Sequence, residues 1–167
     1  QAVNKVTKKL FERFPNPTTL AQADLYEVET IIKTIGLYHN KAKNIIALAR
    51  DLVVLHEGQV PNDRTKLEAL PGVGRKTANV VLSNAFDIPA FAVDTHVSRV
   101  SKRLGIAEEA DNVLVIEQKL NRFFPADTWH KLHHQMIFFG RYHCMAKKPK
   151  CETCILKDIC VYYKEHN

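Results

Sequence analysis

The densest chemistry in this chain lies in Leu70-Pro71-Gly72-Val73-Gly74-Arg75-Lys76-Thr77-Ala78. Proline cannot extend a helix that reaches it, and glycine takes positive φ without a Cβ penalty. Pro71, Gly72 and Gly74 therefore let the backbone reverse within a few residues. A helix restarts near Arg75. Backbone N–H groups at a helix start face outward at the positive end of the dipole, and a tight glycine turn lets an anion approach them. The plain reading is a turn between two helices. Two glycines followed at once by Arg-Lys favour a phosphate, contacted by Gly72, Val73, Gly74 and Arg75. By type and spacing alone, Lys76 reads as a solvated lysine.

A second cluster is cysteine: Cys144, Cys151, Cys154 and Cys160, spaced C-x6-C-x2-C-x5-C. Structural zinc usually takes two close pairs with a small fold between them. Here only Cys151 and Cys154 are close. A compact loop of this kind can wrap a cubane cluster, one thiolate to each iron. The spacing favours iron–sulfur over zinc, with disulfides third. Between the first two cysteines lie Lys147, Lys148 and Lys150. A solvated basic turn is the ordinary reading of such a run. Tethered at both ends, it becomes a fixed positive patch suited to a phosphate backbone.

Composition bounds the partners. A chain of 167 residues, 46% hydrophobic and 25% charged, can bury a real core as one large domain or two small ones. Its apolar runs are too short to span a bilayer and nothing at its start reads as a signal peptide, so no membrane partner is expected. Cysteines used for metal point to a reducing, cytoplasmic compartment. A net charge of +6 and a pI near 9.2 favour a polyanion.

The elements that must position these groups read as helix after helix. Val3, Val6, Leu10, Phe11 and Phe14 recur at helical spacing until Pro15-Asn16-Pro17. Asp24 with Glu27 forms a capping-box pattern before Leu25, Val28, Ile31, Ile32 and Ile35, with Gly36 as the stop. Asn40 is the next candidate cap, for a helix ending at Gly58. Asp63 caps residues 64–70, and a helix from Arg75 carries Ala78, Val80, Val81 and Leu82. Asp94 opens a helix with Val97, Val100 and Leu104; Asp111 opens one with Val115, Ile116 and Leu120. A last long helix, 127–139, holds Trp129, Leu132, Met136 and Phe139 and stops at Gly140. No segment alternates as a strand does, so the fold class is all-α. A helical domain over 2–125, with the hairpin at about 63–85, is followed by a helix and cysteine loop over 126–167.

Together, L-P-G-V-G-R-K-T-A-N-V-V, V-D-T-H-V at 93–97, H-H-Q-M-I-F-F-G-R-Y-H-C and the cysteine spacing resemble the endonuclease III family over nearly the whole chain. That family consists of helix-hairpin-helix DNA glycosylases with an associated lyase activity. The resemblance implies base excision repair of oxidised pyrimidines, a 4Fe-4S cluster on the four cysteines, and a bacterial, nucleoid-associated monomer. Its partner would be double-stranded DNA with a damaged base or abasic site. Lys76 falls at the catalytic amine, which attacks the sugar carbon, expels the base and forms a Schiff base that undergoes β-elimination. An amine attacks only when neutral. The helix start and burial against the hairpin would both favour loss of its proton, burial more strongly. Asp94 falls at a carboxylate that stabilises the cationic sugar; by itself it is an ordinary helix cap. His96 reaches the DNA backbone or lesion pocket, or else packs.

Chemistry on a base requires it to leave the stack. Leu37 matches the family's apolar wedge, and Gln1 its space-filling glutamine. Residues between that glutamine and Val3-Asn4-Lys5, and helices before it, have no counterpart here, so a shortened form or further chain is expected. Two alternatives differ in class. An adenine-type monofunctional glycosylase lacks the nucleophilic lysine, and Lys76 argues against it. A DNA-binding module would use the hairpin and basic loop without catalysis.

Overall fold

The computed structural model describes residues 2–166, in which ten α-helices occur and no strand. Gln1 lies outside the described residues. None of these helices is long and apolar enough to cross a membrane. The chain forms two compact units that divide between Gly74 and Arg75.

The first unit holds α1 (Ala2–Arg13), α2 (Pro17–Ala21), α3 (Leu25–Ile32), α4 (Tyr38–His56) and α5 (Arg64–Ala69). Its core joins Val6, Leu10 and Phe14 of the first segment to Val28, Ile32, Ala42, Ile46 and Ala49, following the helical periodicity. Helix α2 is absent from the sequence reading. Pro17 sits at its first position, where a missing N–H costs nothing, and the Asn16 side chain accepts from Thr19 N–H at 2.9 Å. Asp24 caps α3 by accepting from Glu27 N–H at 3.1 Å, but the Glu27 carboxylate accepts from Arg13. Only half of the expected box therefore forms. Helix α4 starts two residues before Asn40, behind Leu37 in a left-handed turn with φ 60°.

The second unit holds α6 (Arg75–Ala85), α7 (Thr95–Arg103), α8 (Val113–Phe123), α9 (Trp129–Tyr142) and α10 (Val161–His166). Phe91, Val93, Val97, Val100, Ile116, Leu120 and Met136 make one core. Met136 places α9 in the same core as Val97 of α7 and Ile116 of α8. Asn112, not Asp111, caps α8, accepting from Val115 N–H at 3.1 Å. The Asp111 carboxylate is engaged by Lys119 Nζ at 2.7 Å, which holds it below the usual carboxylate range. Gly140 does not stop α9. A Cβ there would lie 3.0 Å from His96 Cβ and 3.3 Å from Val100 Cγ2, so the glycine is what lets α7 and α9 meet.

Candidate functional site

Asp63 caps α5 through Lys66 N–H at 2.9 Å. Leu67 and Leu70 are buried, and the turn closes with Val73 N–H donating to the Leu70 carbonyl at 3.1 Å. Gly72 is required twice over: its φ is +75°, and a Cβ would meet Asn44 Cβ and Nδ2 at 3.0 Å. Gly74 departs from expectation. It is not in the left-handed region, and a Cβ there meets nothing within 4 Å.

Arg75, taken from sequence as a phosphate contact, is committed inside its own unit. Its Nε and Nη2 donate to both oxygens of buried Glu117 at 2.7 and 2.8 Å, joining α6 to α8. Lys76 follows in the first turn of α6, and its side chain is exposed. The expected burial of this amine against the hairpin is absent.

Asp94 caps α7 doubly: Oδ1 accepts from His96 N–H and Val97 N–H, both at 2.8 Å. Because both bonds use one oxygen, the cap orients the carboxylate without spending Oδ2. His133, on α9, is 4% exposed and donates from Nδ1 to the Ala92 carbonyl at 2.7 Å. Burial pushes this imidazole below its ordinary value. The Ala92 bond and the Asp94 carboxylate oppose the shift, while His134 and Lys76 add to it. His96 is half-buried, with Arg99 Nη2 donating to its Nδ1 at 3.2 Å; Arg99 also donates to the Gly140 carbonyl at 2.7 Å. In the other unit, Leu37 is 78% exposed, so it is not a core leucine.

Cys144, Cys151, Cys154 and Cys160 line one cavity and none is in a disulfide. Arg103 organises their surroundings. Its Nη1 donates to Cys144 Sγ at 3.3 Å and to the Met145 carbonyl at 2.8 Å, Nη2 reaches the Ala146 carbonyl, and the guanidinium lies over the Tyr162 ring. Leu156 N–H donates to Cys154 Sγ at 3.4 Å. Lys147, Lys148 and Lys150 are exposed on the loop that Arg103 anchors.

Residues 1–126 match the model of the HhH-GPD superfamily of base excision DNA repair proteins, and 144–160 match the iron–sulfur binding domain of endonuclease III. Endonuclease III of Bacillus subtilis is 53% identical over 95% of this chain and 72% of that protein. The Escherichia coli K12 enzyme is 50% identical over 96% and 76%. The chain belongs to the endonuclease III family.

It is accordingly a base excision repair enzyme, a DNA glycosylase and lyase. Among solved structures, a trapped endonuclease III–DNA covalent intermediate superposes with a TM-score of 0.95 at 52% identity, covering 98% of this chain and 77% of that one. A thermostable thymine-DNA glycosylase superposes at 0.89 with 28% identity over 98% and 76%. The family's 4Fe-4S cluster fits the residues present. Among the described residues no three His, Cys, Asp or Glu side chains gather round a single ion, yet four thiols share one cavity, as a group larger than one ion needs. Burial pushes the Cys151 thiol up, the neighbouring thiols push the same way and Arg103 opposes them. Those four cysteines would hold the cluster, which when bound supplies a rigid cross-link for the loop.

Sequence reasoning passed over Asn79, Arg103, Glu117 and His133. Asn79 and His133 carried a signal, as polar residues on otherwise apolar helix stripes. Arg103 and Glu117 carried none, because their partners are distant in the chain.

Proposed function

We propose that this family member acts on duplex DNA carrying an oxidised pyrimidine or an abasic site, with Lys76 as nucleophile and Asp94 as the carboxylate that steadies the charged sugar. Lys76 Nζ attacks C1′ of the flipped-out nucleotide. The C1′–N bond breaks and the base leaves with a proton. The sugar ring opens to an imine on Lys76, and loss of a C2′ proton expels the 3′ phosphate by β-elimination. The supporting observation is an exposed amine on the first turn of α6 and a carboxylate held at the head of α7 by two N–H bonds, with α6 tied to the approach to α7 by the bond of Asn79 to the Phe91 carbonyl.

Exposure of Lys76 assigns desolvation to the DNA. A duplex laid over α6 excludes water from an amine that the free protein leaves open. The amides of Gly72 and Gly74 and the exposed Lys147, Lys148 and Lys150 are suited to phosphates, Val73 closes the turn through its own N–H, and Arg75 serves by holding α6 to α8. An exposed Leu37 in a left-handed turn suits a wedge into the gap left by the flipped nucleotide. His96, half-buried and tied to Arg99 at the head of α7, is suited to the DNA backbone or the lesion pocket. The enzyme acts as a monomer where chromosomal DNA meets a reducing, cytoplasmic milieu, which suits four unpaired thiols.

Borohydride trapping tests the nucleophile. Reducing the imine formed with an abasic duplex should leave a covalent protein–DNA adduct with the natural chain and none with Lys76→Gln. An adduct of equal yield from Lys76→Gln would remove Lys76 from this role.

A further inference from the structure

Asp94 reaches the head of α7 through residues 90–93, a stretch in neither helix nor strand that is wholly buried. Buried carbonyls need donors, and no neighbouring ladder supplies them here. Two side chains do so. Asn79, 0% exposed on α6, donates Nδ2–H to the Phe91 carbonyl at 3.0 Å. His133 donates Nδ1–H to the next carbonyl, that of Ala92, at 2.7 Å. A carbonyl only accepts, so this bond fixes the proton on Nδ1, and Phe91 meets the ring edge-to-face at 88°. Asn79 stands one helical turn beyond Lys76. The approach to Asp94 is therefore stapled to the helix that carries the amine and, at the adjacent peptide, to α9.

Asn79 Oδ1 is buried with no hydrogen-bond partner, so this side chain is kept for its donor, at the cost of an unsatisfied acceptor. Satisfying the two carbonyls explains a donor at each; that one donor comes from the helix bearing the amine and the other from α9, at the peptides just before Asp94, is what sets the carboxylate relative to that amine. We infer that Asn79 and His133 are positioning residues for the lyase step, fixing Asp94 relative to Lys76 through the carbonyls of Phe91 and Ala92. This rests on the roles proposed above for Lys76 and Asp94. Neither residue touches the sugar; both act through the stretch of backbone at 91–93.

The test is single-turnover cleavage of an abasic duplex, with DNA affinity and the thermal midpoint measured alongside. His133→Phe keeps a ring and loses the donor; a displacement of the order of 1 Å predicts a rate about 100-fold lower with unchanged DNA affinity. His133→Asn, whose amide nitrogen falls where Nδ1 stood, should recover most of the rate. In an Asp94→Asn background, His133→Phe should cost far less than it does alone, since it acts through Asp94. His133→Phe at the natural rate, His133→Asn as slow as His133→Phe, or equal fold losses in both backgrounds would each overturn the inference. Should His133→Phe not fold, Asn79→Leu carries the same expectations in the same cycle. Trapping by Lys76→Gln separates the two claims: lost trapping with additive cycles removes positioning and keeps the nucleophile, while retained trapping removes the nucleophile.

Discussion

His133 reports on its surroundings through a proton. Its folded-state value lies below the ordinary 6.5 because burial disfavours the imidazolium; the Ala92 bond and Asp94 resist, and His134 and Lys76 reinforce the shift. The sign follows directly. A folded value below the unfolded one means that the native chain prefers the neutral ring, so this stabilisation is complete above about pH 6.5 and is lost as pH falls from there through the folded value. The thermal midpoint of the natural chain should drop more steeply below pH 6.5 than that of His133→Phe. The remaining histidines are common to both proteins and cancel. Asp111, held below its ordinary 3.8 by Lys119, titrates outside this window. Parallel pH profiles would show that burial of His133 carries no such penalty.

At the scale of elements, the hairpin between α5 and α6 separates two uses of glycine. Gly72 has φ +75° and Asn44 against it, so Gly72→Ala should lower the free energy of unfolding by about 1–2 kcal/mol from the backbone alone, read by urea denaturation. Gly74 meets neither demand. Gly74→Ala should unfold at the same urea concentration and yet bind duplex DNA more weakly, because its added methyl intrudes where a phosphate approaches the turn. Undiminished DNA affinity in Gly74→Ala would take the phosphate away from this turn. The seam between α7 and α9 uses the third kind of glycine: Gly140 sits mid-helix, where only the closeness of His96 and Val100 accounts for it.

For the whole molecule, charge distribution matters more than the net +6. Arg103 is held by the thiol of Cys144, the carbonyls of Met145 and Ala146 and the Tyr162 ring, which leaves the exposed lysines of that loop to meet solvent or DNA. Fixed cations that contact phosphate release counterions on binding. Replacing Lys147 and Lys148 together with Ala should lower the magnitude of the salt slope of DNA binding by about two. Titrations at several salt concentrations give this slope, and an unchanged value would return the loop to an ordinary solvated turn.

Local rules carried much of this protein. Helical periodicity marked Val6, Leu10, Val28, Ile32, Val97, Val100 and Ile116 as core, and Asp24, Asp63 and Asp94 as caps, because turn-to-turn spacing and capping act across three or four residues. The cysteine spacing favoured iron–sulfur over zinc for the same reason, since the ligands lie in one short loop, and the resemblance supplied the 4Fe-4S cluster. Tertiary structure alone decided the rest. The ion pair of Arg75 with Glu117 spans 42 residues and the bond of His133 to Ala92 spans 41, distances at which no periodicity operates. Gly140 reads as a helix stop until α7 is laid against it, and the burial that the resemblance asked of Lys76 is not found, its side chain being open to water as its type and spacing alone suggest.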